Sequence, residues 1–345
     1  MNFVSDNCYG ASPEILAAVA AIGQGPEPAY GDDAVTKRLT TRFRDIFEHD
    51  VAVFPVVSGT AANALALATL VPAHGAIFCH AEAHIAVDEC GAPEFFTHGA
   101  KLATIESRDA KLTPEQIAHS LSHFQKGVVH HLQPAAISMT QASELGTVYS
   151  PDEIAGIAQF AHARDMKVHM DGARFANALV GLGCSPAELT WKCGIDVLSF
   201  GATKNGALGA EAVVFFAPED VGDFEYRRKK SGHLVSKLRF LSVQLEAYLK
   251  DDHWLLNARR ANLLARRLAD GLAQSNVVEI THPVQANAVF ANMPDALAKR
   301  LRQAGVQFYG WGVPSPGRTL ARLMLSFATP EDDIRRLIAL VREEV

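Results

Sequence analysis

The 31 residues from Val51 to Ala81 contain no Asp, Glu, Lys or Arg, and nothing else in the chain limits its possible folds so sharply. About 20 apolar residues suffice to cross a bilayer, so a membrane span is the first reading to test. The interior of the stretch argues against it. Pro55, Ser58, Gly59, Thr60, Asn63, Pro72, His74 and Gly75 interrupt the apolar run, and turns facing lipid would strand main-chain polar groups. The stretch reads instead as buried strand, turn and helix, which needs a chain large enough to enclose it. With 345 residues this one is. At that length roughly 75% of the unfolded surface can be buried, and two structural units are expected.

Charge and cysteine usage narrow the class further. The chain carries 32 Lys+Arg against 38 Asp+Glu, a net charge of −6, which gives no large positive field for a phosphate backbone. Neither nucleic acid nor a membrane is an expected partner. The opening MNFVSDNCYG has no basic segment followed by an apolar core, so a secretory signal is not expected and a cytoplasmic location is. Cys8, Cys79, Cys90, Cys184 and Cys193 form no CxxC pair; the odd, scattered set fits reduced thiols better than disulfides or zinc.

From about residue 50 to 217, apolar runs of strand length alternate with helical patterns, the order of an α/β protein with parallel strands and covering helices. Expected strands are Val51 to Val57, Ala76 to Cys79, Leu102 to Ile105, Ala135 to Met139, Lys167 to Met170, Ile195 to Phe200 and Ala212 to Phe216. Helices are expected from Asn63 to Leu70 and from Pro151 to Arg164. Beyond about residue 225 the chain becomes basic and helical, with a later strand from Gln285 to Asn292. This division places a large unit over residues 1–250 and a smaller C-terminal α/β unit over 251–345, with a shared interface of the kind that often forms a ligand cleft.

Three segments can carry chemistry. In VAVFPVVSGTAANALAL, a strand runs through Ser58, Gly59 and Thr60 straight into a helix, presenting free N–H groups and a helix N-terminus to an anion such as phosphate. The alternative is an ordinary N-cap and turn. In KVHMDGARF, Asp171 ends an apolar strand, at the sheet edge where ligands of α/β proteins sit; the alternative is a cap or an ion pair with Arg174. In SFGATKNGALGAE, Lys204 is surrounded by small residues that permit close backbone approach, as a lysine forming a Schiff base in a packed cleft requires. The alternative is a surface lysine. Together they supply what pyridoxal phosphate needs: a phosphate cup, a lysine for the aldehyde and an acid for the pyridine nitrogen. No GxGxxG follows a strand and no GxxxxGK[ST] occurs, so nucleotide binding has no motif support.

Other polar clusters read less sharply. His80, Glu82, His84, Asp88 and Glu89 are not spaced as HExxH; strand alternation would place the first three on one face, but no metal is expected. His84 suits stacking on a cofactor ring or acid–base work. Arg227, Arg228, Lys229 and Lys230 read as a solvated helix face, and Lys237 or Arg239 as candidates to reach a phosphate across a subunit boundary. Arg322, at the start of an apparent strand, suits a two-pronged clamp on a substrate carboxylate.

In order and spacing these segments resemble the low-specificity L-threonine aldolases, pyridoxal 5′-phosphate enzymes of the aspartate aminotransferase-like fold. The resemblance rests on VSDN, AYGDDAVTKRL, SGTAANALAL, AHIAVDECG, HMDGARFANA and SFGATKNGALGAE, and covers nearly the whole chain. It implies fold type I: a three-layer α/β/α large domain with a mostly parallel sheet, and a smaller C-terminal α/β domain. It also implies a small amino-acid substrate, and a homodimer or homotetramer with the active site at the dimer interface. By the same resemblance, Lys204 is the Schiff-base lysine, Asp171 meets the pyridine nitrogen, His84 lies over the ring, and Ser58, Gly59 and Thr60 hold the phosphate. Ser5, Arg174 and Arg322 are implied for the substrate carboxylate. The chain departs from the family where many members read Glu-Asn-Thr-His-Asn: here Thr140 to Glu144 reads TQASE, and Ser143 stands in the place expected for a second histidine. The reaction implied is cleavage of L-β-hydroxy-α-amino acids to glycine and an aldehyde. A β-eliminating lyase or aminotransferase on the same fold is the alternative, and a non-catalytic protein of that fold is a more distant one.

Overall fold

The computed structural model describes residues 1–312 and 315–343. Seven strands form the main sheet: β1 (Ala52–Val56), β2 (Gly75–His80), β3 (Lys101–Ile105), β4 (Gln133–Thr140), β5 (Lys167–Gly172), β6 (Val197–Gly201) and β7 (Glu211–Phe215). Their spatial order is β1-β7-β6-β5-β4-β2-β3. Every residue of β2, β6 and β7 is buried, because helices cover both faces of such a sheet; hence the unbroken apolar runs in place of alternation.

The sheet is mixed. β2 through β6 pair in parallel, but β7 runs antiparallel to both β6 and β1. A parallel return needs a crossover of about a dozen residues or more, and residues 202–210 are too few to provide one. The chain therefore turns back directly.

The uncharged stretch becomes β1, the helix Gly59–Leu70 and β2. Ala61 through Ala68 of that helix are all buried, and a helix apolar on every side belongs inside a protein. Among the described residues no helix is long and apolar enough to cross a membrane.

A second, antiparallel sheet has the order β10-β11-β9-β8, from β8 (Glu279–Ile280), β9 (Ala288–Pro294), β10 (Tyr309–Gly310) and β11 (Arg318–Met324). Its core gathers Leu264, Leu268, Val289, Leu297, Leu323 and Leu337, together with Phe3 from the amino terminus. Phe3 is fixed there by main-chain bonds to Gln307 and Met324. The helix His253–Leu272 joins the two cores: Trp254 and Ala258 pack in the first, Leu264 and Leu268 in the second. One stiff element thus sets the position of the smaller sheet against the larger one.

Candidate active site

β4, β5 and β6 end side by side, with Thr140 opposite Asp171 and Asp171 opposite Ser199. At this edge lie two adjoining cavities, about 250 and 160 Å³ in volume, that share Asn7, Gly59, His84, Asp171, Ala173 and Lys204. The chain can pass so closely over the edge because Gly201 has no side chain. A Cβ there would meet the Ala173 backbone at 2.6 Å, far inside van der Waals contact.

Ser58, Gly59 and Thr60 line the larger cavity. Ser58 is the N-cap of the helix Gly59–Leu70, its Oγ accepting the Ala61 N–H at 3.3 Å. The Gly59 and Thr60 N–H groups of that first turn have no partner inside the helix and carry the positive end of its dipole. Open space lies where a Cβ of Gly59 would point. The N-cap is observed, and the open space beyond it leaves the anion reading compatible with the cap.

Asp171 is 4% exposed on β5 and accepts from Ala173 N at 2.9 Å and from Asn63 Nδ2 at 2.8 Å. Two residues earlier on the same strand face, His169 sits between Ser138 Oγ and Ser199 Oγ, each at 2.9 Å. Burial pushes its pKa down to about 4, so a neutral imidazole lies beneath the carboxylate.

Lys204 sits in the short helical turn Thr203–Asn205 that follows β6. Burial, and then the nearby Arg174 cation, hold its ammonium below the ordinary lysine pKa, which favours the neutral, nucleophilic amine. Beside it the buried Glu211 accepts the Ala202 N–H at 2.6 Å, and burial raises its pKa.

The smaller cavity is lined by Ser5, Arg174, Glu144, Trp311 and Arg322. The Arg174 fork is engaged by Asp6, Nε to Oδ2 at 2.8 Å and Nη2 to Oδ1 at 2.9 Å. Asn287 Nδ2 also donates to Asp6, at 3.1 Å. Arg322 lies over the Trp311 ring, 4.6 Å from its centroid, and its buried Nε has no protein partner. It stands late in β11, not at the start of a strand as its sequence context suggests. Ser5 Oγ accepts from Asn7 N at 3.2 Å.

His84 begins the short helix His84–Val87, after β2 has ended at His80, so strand alternation does not place His80, Glu82 and His84 on one face. His80 is engaged by the main chain of Glu82 and Ser107. Among the described residues no group of His, Cys, Asp and Glu is placed to hold a metal ion. His84 Nδ1 meets Glu89 Oε1 at 2.8 Å, and that same oxygen accepts from Asn63 Nδ2 at 2.8 Å. The Glu89 contact raises the His84 pKa, and burial raises that of Glu89.

Ser143 does not face the cavity. It is buried, and its hydroxyl meets Thr147 Oγ1 at 2.7 Å; the cavity wall belongs to its neighbour Glu144. The basic run also departs from expectation. Arg228 is buried with its guanidinium near the Phe54 ring, and desolvation lowers its pKa to about 10. Asp6, Asn63 and Glu144 were not singled out by sequence. A polar Asn63 inside an otherwise apolar helix was the available signal.

Comparison with known proteins fits this geometry. The Beta-eliminating lyase family matches residues 2–296. The "Low specificity L-threonine aldolase" of Pseudomonas sp. (strain NCIMB 10558) is 45% identical over 99% of this chain and 96% of its own length. That of Pseudomonas aeruginosa is 44% identical over the same shares. A Leishmania major threonine aldolase structure superposes with a TM-score of 0.93 at 24% identity, covering 99% of both chains. A Sphingomonas wittichii serine palmitoyltransferase does so at 0.74 and 14% identity, covering 99% of this chain and 86% of that one. These structures share fold type I. The chain belongs to the beta-eliminating lyase family and, within it, to the low-specificity L-threonine aldolases.

Proposed function

We propose that this protein is a pyridoxal 5′-phosphate-dependent aldolase that cleaves L-threonine, L-allo-threonine and related L-β-hydroxy-α-amino acids, such as phenylserine, to glycine and an aldehyde. The observation that carries the reading is the meeting of Lys204, Asp171 and the N-terminus of the helix Gly59–Leu70 around one cavity. The donor set fits the cofactor: an anion cup, a buried carboxylate and a lysine whose burial favours the neutral amine. When bound, the cofactor supplies an aldehyde for an amine and a sink for the electrons released at Cα.

The chain's own residues do the rest. Ser58, Gly59 and Thr60 would hold the phosphate, Asp171 would pair with the pyridine nitrogen and His84 would stack on the ring. Lys204, whose burial lowers its pKa, would be the amine that meets the aldehyde. Arg322, whose Nε is unused, and the Arg174 edge left free by Asp6 hold the substrate carboxylate with Ser5. Fixing the carboxylate and amine leaves the Cβ substituent as the variable end, consistent with tolerance of different aldehydes.

A second copy of the chain completes the cleft, as a homodimer or homotetramer. Exposed apolar residues support this: Val57 on the cavity wall and Leu208 in the loop after Lys204. The five free thiols suit a reducing, cytoplasmic compartment.

The test is incubation of the purified protein with L-threonine, L-allo-threonine, D-threonine and phenylserine, assaying glycine and aldehyde. Glycine plus aldehyde from the L-isomers is expected. Activity on D-isomers alone refutes the reading, and pyruvate with ammonia from serine replaces it with β-elimination, the chemistry in the name of the matching family.

A further inference from the structure

We propose that Glu144 is the catalytic base that takes the proton from the substrate's β-hydroxyl. The inference rests on the aldolase reading above and assigns a step for which Ser143 is not placed and for which the His84 ring, in the same cavity, is tied to Glu89. Ser143 is turned into the protein against Thr147. His84 lines the cavity too, but its Nδ1 is committed to Glu89, a contact that raises its pKa and so weakens its case as the base. Glu144 follows the end of β4 and lines the same cavity as Lys204, Arg174 and Arg322.

Its carboxyl group is held but not used up. Oε1 accepts from Thr140 Oγ1 at 2.8 Å and from the His84 main-chain N–H at 3.0 Å, while Oε2 is buried with no protein partner. A carboxylate fixed by two donors and left with an unfilled lone-pair site is preorganised to accept a proton. Burial makes it a stronger base than a carboxylate in water, moving its pKa to about 7. The ionisable groups whose fields act with it are Asp171, Arg174, Cys79 and Tyr149, and His84 reaches it through its main-chain N–H.

In the step, the substrate O–H bond breaks and its proton passes to Glu144. The freed pair becomes the second bond of the aldehyde carbonyl, and the Cα–Cβ pair stays at Cα. Cα then gains a proton, giving glycine, and Glu144 gives up its own, so one proton is taken and one returned. In the direction of synthesis the same carboxyl acts as the acid.

The experiment compares wild type with Glu144→Gln, each as holoenzyme, in two reactions: cleavage of L-threonine, and exchange of the glycine α-proton in D₂O followed by NMR. Only the first needs a base at the β-oxygen. Glu144→Gln is expected to lose about 100-fold in cleavage while exchange stays within threefold, and the acid limb of the wild-type kcat/KM profile near pH 7 is expected to vanish. Ser143→Ala serves as the control and leaves both reactions unchanged. Cleavage retained by Glu144→Gln overturns the proposal, and so does equal loss of both reactions, which marks a purely structural role. A wild type that exchanges glycine but releases none from any β-hydroxy amino acid refutes the aldolase reading itself.

Discussion

Asp6 and Arg174 meet in two parallel hydrogen bonds of 2.8 and 2.9 Å, although 168 residues separate them. The pair joins the amino terminus to the end of β5 and sets the plane of the guanidinium that lines the smaller cavity. Burial alone would raise the Asp6 pKa, but Arg174 outweighs it and the net shift is downward. A carboxylate lowered in the folded state contributes stability above its unfolded pKa of about 4 and loses it as pH falls through the folded value. Asp6→Asn is therefore expected to destabilise the protein by about 3 kcal/mol at pH 7 and by less near pH 3, and to raise KM for L-threonine. Urea unfolding at the two pH values checks the first part. An equal loss at both would show that the ion pair is not its source.

Asn63 ties the two halves of the polar site together, giving one amide nitrogen to both Asp171 and Glu89. Asn63→Ala leaves two buried carboxylates short of a donor, at about 1–3 kcal/mol. It is expected to lower kcat more than tenfold without abolishing cofactor uptake. Titration with the cofactor, followed by its visible absorption, separates the two effects.

What the sequence revealed and what it hid follow from the range of the interactions. Ser58 to Thr60, Asp171 and Lys204 were legible because each chemistry is written locally, as strand end, turn and small neighbours. The uncharged run from Val51 to Ala81 was legible for the same reason: enclosure of most of β1, the helix Gly59–Leu70 and β2 leaves few positions for charge. Asp6, Asn63 and Glu144 act through contacts far along the chain, 108 residues from Asn63 to Asp171 and 60 from His84 to Glu144. No local pattern encodes those. Ser143 was misplaced by the opposite error, since matching it to a family position said nothing of which way it turns. The reversal at β7 needed only the length of the 202–210 loop.

Ser143→Ala is expected to leave kcat and KM within twofold of wild type. It removes one partner of Thr147, at about 1 kcal/mol of stability. A large kinetic loss, measured at a temperature well below unfolding, would return this hydroxyl to the reacting centre.

Trp311 supports Arg322 from below, with the cation 4.6 Å from its centroid. A partly desolvated cation–π contact is worth about 1–2 kcal/mol, so Trp311→Ala is expected to raise KM for L-threonine roughly tenfold and Trp311→Phe to recover most of it. Steady-state kinetics of the two variants decide the matter. Equal KM values for both would assign the tryptophan to packing against Phe290 alone.

Lys204 is the lysine expected to carry the cofactor. Borohydride reduction of the holoenzyme followed by peptide mass spectrometry tests it directly. A single pyridoxyl adduct is expected on the peptide containing Lys204, absent from Lys204→Ala. An unmodified Lys204, or the adduct on another lysine, would contradict it.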